Sequence, residues 1–199
     1  MRFLSLSFLI LILCSPDHLI LRNKADYLPL KVGNEWHYAY GSDSLIVAVD
    51  DDTIIGDLSC YIVIFENEYQ YWHYDEDGVR RHFTFSVGPT GTEYNLESRY
   101  YPLFPYPLID GSSFQDSFRF SDVIEGDTVY YFHSLTGDII SEEGDRYRVR
   151  LKELILVQST WLDSTMSWIS TFVLKPDVGI ETYIDAKGRT WSLRSYSIR

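Results

Sequence analysis

From Asn34 onward, apolar and polar residues alternate with a period of two, in short runs rich in β-branched and aromatic side chains. Gly, Asp and Asn break the runs. This is the signature of half-buried strands. It predicts strands over 34–40, 43–50, 58–66, 69–75, 79–86, 114–121, 127–134, 145–157, 165–174, 178–184 and 189–197. The expected turns are Asp75-Glu76-Asp77-Gly78, Thr136-Gly137-Asp138, Glu143-Gly144-Asp145 and Asp185-Ala186-Lys187-Gly188, where Gly tolerates positive φ and Asp bonds its own backbone. Helical periodicity is missing from this region, and the joins are too short for crossover helices. Consecutive antiparallel hairpins follow.

The expected fold is therefore all-β: a curved antiparallel sheet closing into a barrel or half-barrel, lipocalin-like or lipoprotein-carrier-like. A two-sheet sandwich is the alternative.

The first fourteen residues follow another rule. Arg2 precedes an apolar run, Phe3 to Leu13, and Cys14 follows it. A short basic region before about 7–15 apolar residues is the form of a secretory signal, and the run is too short for a spanning helix of roughly 20 residues. Cys14 is placed like the acylated cysteine of a bacterial lipoprotein, although in Leu11-Ile12-Leu13-Cys14 a leucine, Leu13, stands where such signals carry Gly, Ala or Ser. The expected organisation is a signal peptide over 1–14 with Cys14 as candidate lipid attachment site, a tether over 15–26, and one β domain over 27–199. The expected location is the cell envelope, as a periplasmic or outer-membrane lipoprotein, or outside the cell.

Composition narrows the partners. Apolar residues make up 45% and aromatic residues 16%, enough for a packed core. The formal charge is −12, and a surface this acidic repels phosphate backbones, so nucleic acid is excluded as an expected partner. Two cysteines build neither a disulfide framework nor a paired-cysteine metal site, and Cys60, in the apolar stretch Leu58 to Phe65, reads as a buried small hydrophobe.

Two segments match in kind without gaps. Pro29-Leu30-Lys31-Val32-Gly33-Asn34-Glu35-Trp36 and Pro107-Leu108-Ile109-Asp110-Gly111-Ser112-Ser113-Phe114 both read Pro-Leu-x-x-Gly-x-x-aromatic. They suggest two half-repeats, 27–100 and 101–199, each opened by the same turn and plugged by an aromatic ring.

The segment Tyr27-Leu28-Pro29-Leu30-Lys31-Val32-Gly33-Asn34-Glu35-Trp36-His37-Tyr38 resembles the opening of a group of uncharacterised bacterial envelope and lipoprotein-like β domains, which reads "YFPLKVGNxWxY" after a signal. The end of the chain is similar too, in Pro176-Asp177-Val178-Gly179-Ile180-Glu181 and in Trp191-Ser192-Leu193. The resemblance implies an all-β extracytoplasmic domain. It carries no activity and no catalytic residues.

Candidate chemistry is sparse. There is no Gly-x-Ser-x-Gly elbow and no His-Glu-x-x-His. His73 and His82 flank the Asp77-Gly78 turn and, with Asp75, could form a weak metal or acid–base site, but cross-strand polar pairing is the commoner outcome. Asp50-Asp51-Asp52 and Asp75 to Gly78 lack the ligand spacing of a calcium loop and read as solvated turns. No metal, cofactor or catalytic residue is expected.

Two patterns point to binding. Arg146, Arg148, Arg150 and Lys152 alternate with Tyr147, Val149 and Leu151, so one strand carries a basic stripe on one face. The proline-rich aromatic run Tyr100 to Tyr106, with Tyr101, Phe104 and Tyr106, reads as a lid on the barrel end or a binding rim. The leading expectation is a non-catalytic, exported, envelope-associated binding or structural module, with a lipid-like ligand as one option. A carbohydrate-binding module is the alternative, and a hydrolase comes third.

Overall fold

A computed structural model describes residues 27–88 and 92–199. The expected leader, Cys14 and the expected tether lie outside the described residues. The described chain is a run of antiparallel strands: β1 (Glu35–Tyr40), β2 (Asp43–Ile55), β3 (Leu58–Phe65), β4 (Glu68–Asp75), β5 (Gly78–Val87), β6 (Tyr94–Pro105), β7 (Ser113–Ile124), β8 (Asp127–Glu142), β9 (Arg146–Gln158), β10 (Asp163–Lys175), β11 (Gly179–Ile184) and β12 (Thr190–Ser197). All belong to one sheet, in the order β6-β5-β4-β3-β2-β1-β12-β11-β10-β9-β8-β7. Each strand pairs with its sequence neighbour, except that β1 pairs with β12 and nothing pairs β6 to β7. The sheet curls until those two edges meet. It is a barrel with one unsealed seam.

Side chains close the seam where backbone does not. Arg99 on β6 makes a bidentate contact with Asp116 on β7, at 3.0 and 2.9 Å, and donates to the Ser117 carbonyl at 3.2 Å. Farther along, the Tyr94 hydroxyl donates to Glu125 at 2.9 Å.

Twelve strands could enclose a lumen. Here rings from opposite walls meet inside it: Phe65 on β3 and Phe104 on β6 both touch Phe172 on β10, at 6.1 and 5.1 Å between centroids. Trp36 is buried and donates to the Val178 carbonyl, and Tyr38 donates to the Ile180 carbonyl. The interior is a packed core.

The sequence reading differs from the fold at four places. β6 was expected to be a lid or rim; the run Tyr100 to Pro105 is the second half of an edge strand, where proline's missing donor does no harm. Thr136-Gly137-Asp138 is not a turn but lies within β8, where Gly137 pairs with Phe114 and Leu151 and leaves room for the Phe114 ring, which an added Cβ would meet at 2.2 Å. Asp50-Asp51-Asp52 is not a turn either: β2 runs through it, with a bulge between Val49 and Asp51. The division of the half-repeats at 100/101 falls inside β6, whereas the chain turns at 106–112.

The two matched segments make the same backbone contacts. Gly33 N–H bonds the Val49 carbonyl as Gly111 N–H bonds that of Ile139; Asn34 to Lys31 repeats as Ser112 to Ile109; Val49 to Asn34 repeats as Ile139 to Ser112. Both glycines have positive φ, +88° and +71°. The ring positions differ: Trp36 is fully buried and Phe114 only half-buried.

Candidate binding surfaces and the buried charge cluster

Alternation along β8 and β9 sends Val129, Tyr131, His133 and Leu135, and Leu151, Glu153 and Ile155, into the barrel. Two ionisable groups thereby enter the core. They meet Glu97 from β6 and Arg81 from β5. Arg81 Nη2 lies 2.5 Å from Glu153 Oε1, and Trp168 Nε1 donates to Glu153 Oε2 at 2.7 Å. His133 Nδ1 lies 2.9 Å from Glu97 Oε2, and the hydroxyls of Tyr101 and Tyr131 both donate to Glu97. His133 Nε2 is 3.4 Å from Glu153 Oε1, near enough for charge attraction but outside hydrogen-bond alignment.

Both imidazole nitrogens thus face carboxylate oxygens. A neutral ring would turn a lone pair toward one of them, so the geometry favours the imidazolium. Burial alone would lower the His133 pKa, but the contacts with Glu153 and Glu97 outweigh it and hold it above the ordinary value. Burial likewise pushes Glu153 up, and His133, Arg81 and Trp168 overcome it, leaving its pKa at about 2. Burial and Glu97 drive the Tyr101 and Tyr131 hydroxyls upward. With His133 charged, two cations balance two carboxylates. Beside Arg81 and Glu153 lies a cavity of about 90 Å³, also touched by Gln70, Ser170 and Tyr183. It has room for a few waters.

A larger hollow lies on the outer face of β7, β8 and β9. It measures about 450 Å³, and Arg119, Ser121, Tyr130, Phe132, Leu156 and Gln158 line it. Register explains the grouping: Phe132 pairs with Arg119 on one side and Leu156 on the other, while Tyr130 pairs with Ser121 and Gln158. The Arg119 guanidinium stands over the Phe132 ring, 5.3 Å from its centroid. Tyr130 is 57% exposed.

The basic stripe lies on the same outer face of β9. Arg146 pairs with Glu181 at 2.5 Å and Arg148 with Glu142. Arg150 and Lys152 are exposed, and among the described residues neither has a carboxylate oxygen within 4.0 Å. Tyr101 and Phe104 are instead buried on the inner side of β6, so they form no exposed rim with the stripe. Tyr106 is half-buried at a cavity of about 20 Å³ that it shares with Tyr27 and Leu108. Cys60 is buried, with Sγ 3.0 Å from the Tyr100 hydroxyl.

His73 and His82 share an outer face but sit two residues out of register, opposite Arg80 and Tyr71. They flank the Tyr100 ring at 5.8 and 4.9 Å. His73 Nδ1 contacts the Ser59 carbonyl, His82 contacts Ser98, and Asp75 is taken by Arg80. No metal-binding group of three His, Cys, Asp or Glu residues exists among the described residues. The exposed tyrosines Tyr40, Tyr69, Tyr130 and Tyr196 stand on four different strands and make no planar row.

The sequence reading missed the charge cluster and the outer hollow. Alternation placed His133 and Glu153 among inward apolar residues and could have flagged them. The hollow needed the β7–β8–β9 register, which no local pattern supplies. Comparison of the chain with protein-family models, curated proteins and solved structures finds no match.

Proposed function

We propose that this chain is an exported, non-catalytic, envelope-associated β module that binds a lipid-like ligand on its outer face. The observation that carries the reading is a hollow of about 450 Å³ outside β7–β9, with a second of about 310 Å³ beside Gln115 and Thr136 on β7–β8, against cavities of about 90 and 20 Å³ among the inward-facing residues. Phe132, Leu156 and Tyr130 supply apolar walls, and Arg119 supplies a cation for a head group. The buried ionisable groups are paired in charge with one another, His133 with Glu97 and Arg81 with Glu153, which supports a structural part for them rather than a catalytic one. The leader supports export.

A fluorescent lysophospholipid titrated into the protein tests this. Saturable binding is expected, weakened about tenfold or more by Phe132→Ala, since burying such a ring contributes about 1.5–3 kcal/mol. Circular dichroism checks that the variant folds. Absence of binding, or binding that ignores Phe132, rejects the reading. Competition by a soluble oligosaccharide would favour a glycan instead, for which Tyr130 beside Ser121 and Gln158 is the supporting arrangement.

A further inference from the structure

We propose that the outer face of β7–β10 docks on an anionic lipid surface, an inference that rests on the reading of the β7–β9 hollow as a lipid site. The first ground is charge. In a chain of 29 acidic and 17 basic residues, this face inverts the balance. Alternation turns three carboxylates outward from the four strands, Asp138, Glu142 and Asp163, and Glu142 is already paired with Arg148. Arg119, Arg150 and Lys152 are all exposed and form no ion pair among the described residues. Asp138 is opposite Arg150 in register yet does not come within 4.0 Å of it.

The second ground is spacing. Arg119 aligns through Phe132 with Leu156, and Arg150 lies six residues from Leu156 on β9. At about 3.3 Å per residue, the two cations are about 20 Å apart along the strands. They cannot converge on one phosphate. They can meet several head groups in a plane.

The third ground is the apolar surface between them. Tyr130 and Ile169, 57% and 39% exposed, share this face with the cations, and Ile169 pairs directly with Lys152. Rings and aliphatic chains among unpaired cations match a boundary of acyl chains and anionic head groups better than an acidic peptide or polysaccharide, which offers charge alone. The chain's negative charge repels such a surface from other directions, so this face is the one presented.

The test is sedimentation of the protein with vesicles of phosphatidylcholine alone or mixed with about one-third phosphatidylglycerol. Any contribution of residues 1–26 is common to all variants and cancels between them. Preference for the anionic vesicles is expected, falling with added salt. Arg150→Gln with Lys152→Gln should weaken that binding about 25-fold, from about fivefold per charge near an anionic surface. Arg146→Gln, which removes a cation already taken by Glu181, should change it far less. Equal partition to both vesicles, or a double variant that binds as well as the parent, overturns the proposal. If lysophospholipid still enters the hollow in that event, the ligand reading survives and only surface docking fails. If neither binds, both fail.

Discussion

His133 and Glu153 set the chemistry of the core. Each stands in an inward apolar series where an uncompensated charge costs several kcal/mol, and each is matched by opposite charge from another strand. Glu153→Ala would leave Arg81 without its carboxylate, and a loss of about 3–5 kcal/mol in urea unfolding is expected, as when one partner of a buried pair is removed. The pH dependence follows from the two shifts. The lowered pKa of Glu153 contributes stability present above about 4.5 and lost as pH falls toward about 2. The raised pKa of His133 contributes stability present below about 6.5 and lost as pH rises through its folded value. Stability should therefore be greatest near pH 4.5–6.5, and His133→Gln should flatten the decline on the alkaline side. A decline of unchanged steepness in that variant would contradict the imidazolium. Both residues were visible in the alternation. Their partners were not, because Glu97 and Arg81 reach them across the barrel from sequence positions 36 and 72 residues away.

At the level of elements, the hairpins were legible because each is local: a strand, a Gly or Asp turn, a strand. β6 was not. Pro102 and Pro105 hide its alternation, and only its place at the edge makes them tolerable. Gly137 misled for the opposite reason, since it marks a close approach of the Phe114 ring and not a turn. Gly137→Ala should destabilise the domain, and Phe114→Ala with Gly137→Ala should cost less than the sum of the single changes, because the shorter side chain removes the clash. Thermal melts of the three variants decide this. The β6–β7 seam is a second test. Its tie between β6 and β7 themselves is Arg99–Asp116, a partly exposed pair worth at most about 1 kcal/mol globally. Arg99→Ala should leave the melting temperature nearly unchanged while speeding amide exchange in β6 and β7. Exchange that rises equally in β1 and β12, which are paired through their backbones, would show that the seam is no weaker than the rest.

For the whole molecule, period-two alternation and the lack of helical pattern led to an antiparallel sheet curling into a barrel or half-barrel, with a two-sheet sandwich as the alternative, and the structure is the nearly closed barrel. They did not reveal that the barrel would be filled, since that depends on Phe65, Phe104 and Phe172 meeting from opposite walls. Filling moves the functional question outward. The basic stripe was readable on β9, but its reduction to Arg150 and Lys152 depends on Glu181 and Glu142. The most direct test of an outer-face ligand site is a backbone NMR titration of the protein with lysophospholipid. The account predicts saturable shifts centred on Arg119, Tyr130, Phe132 and Leu156, with Trp72 and Phe172 unmoved. Shifts centred on Trp72 and Phe172 would place the ligand inside the barrel and contradict it.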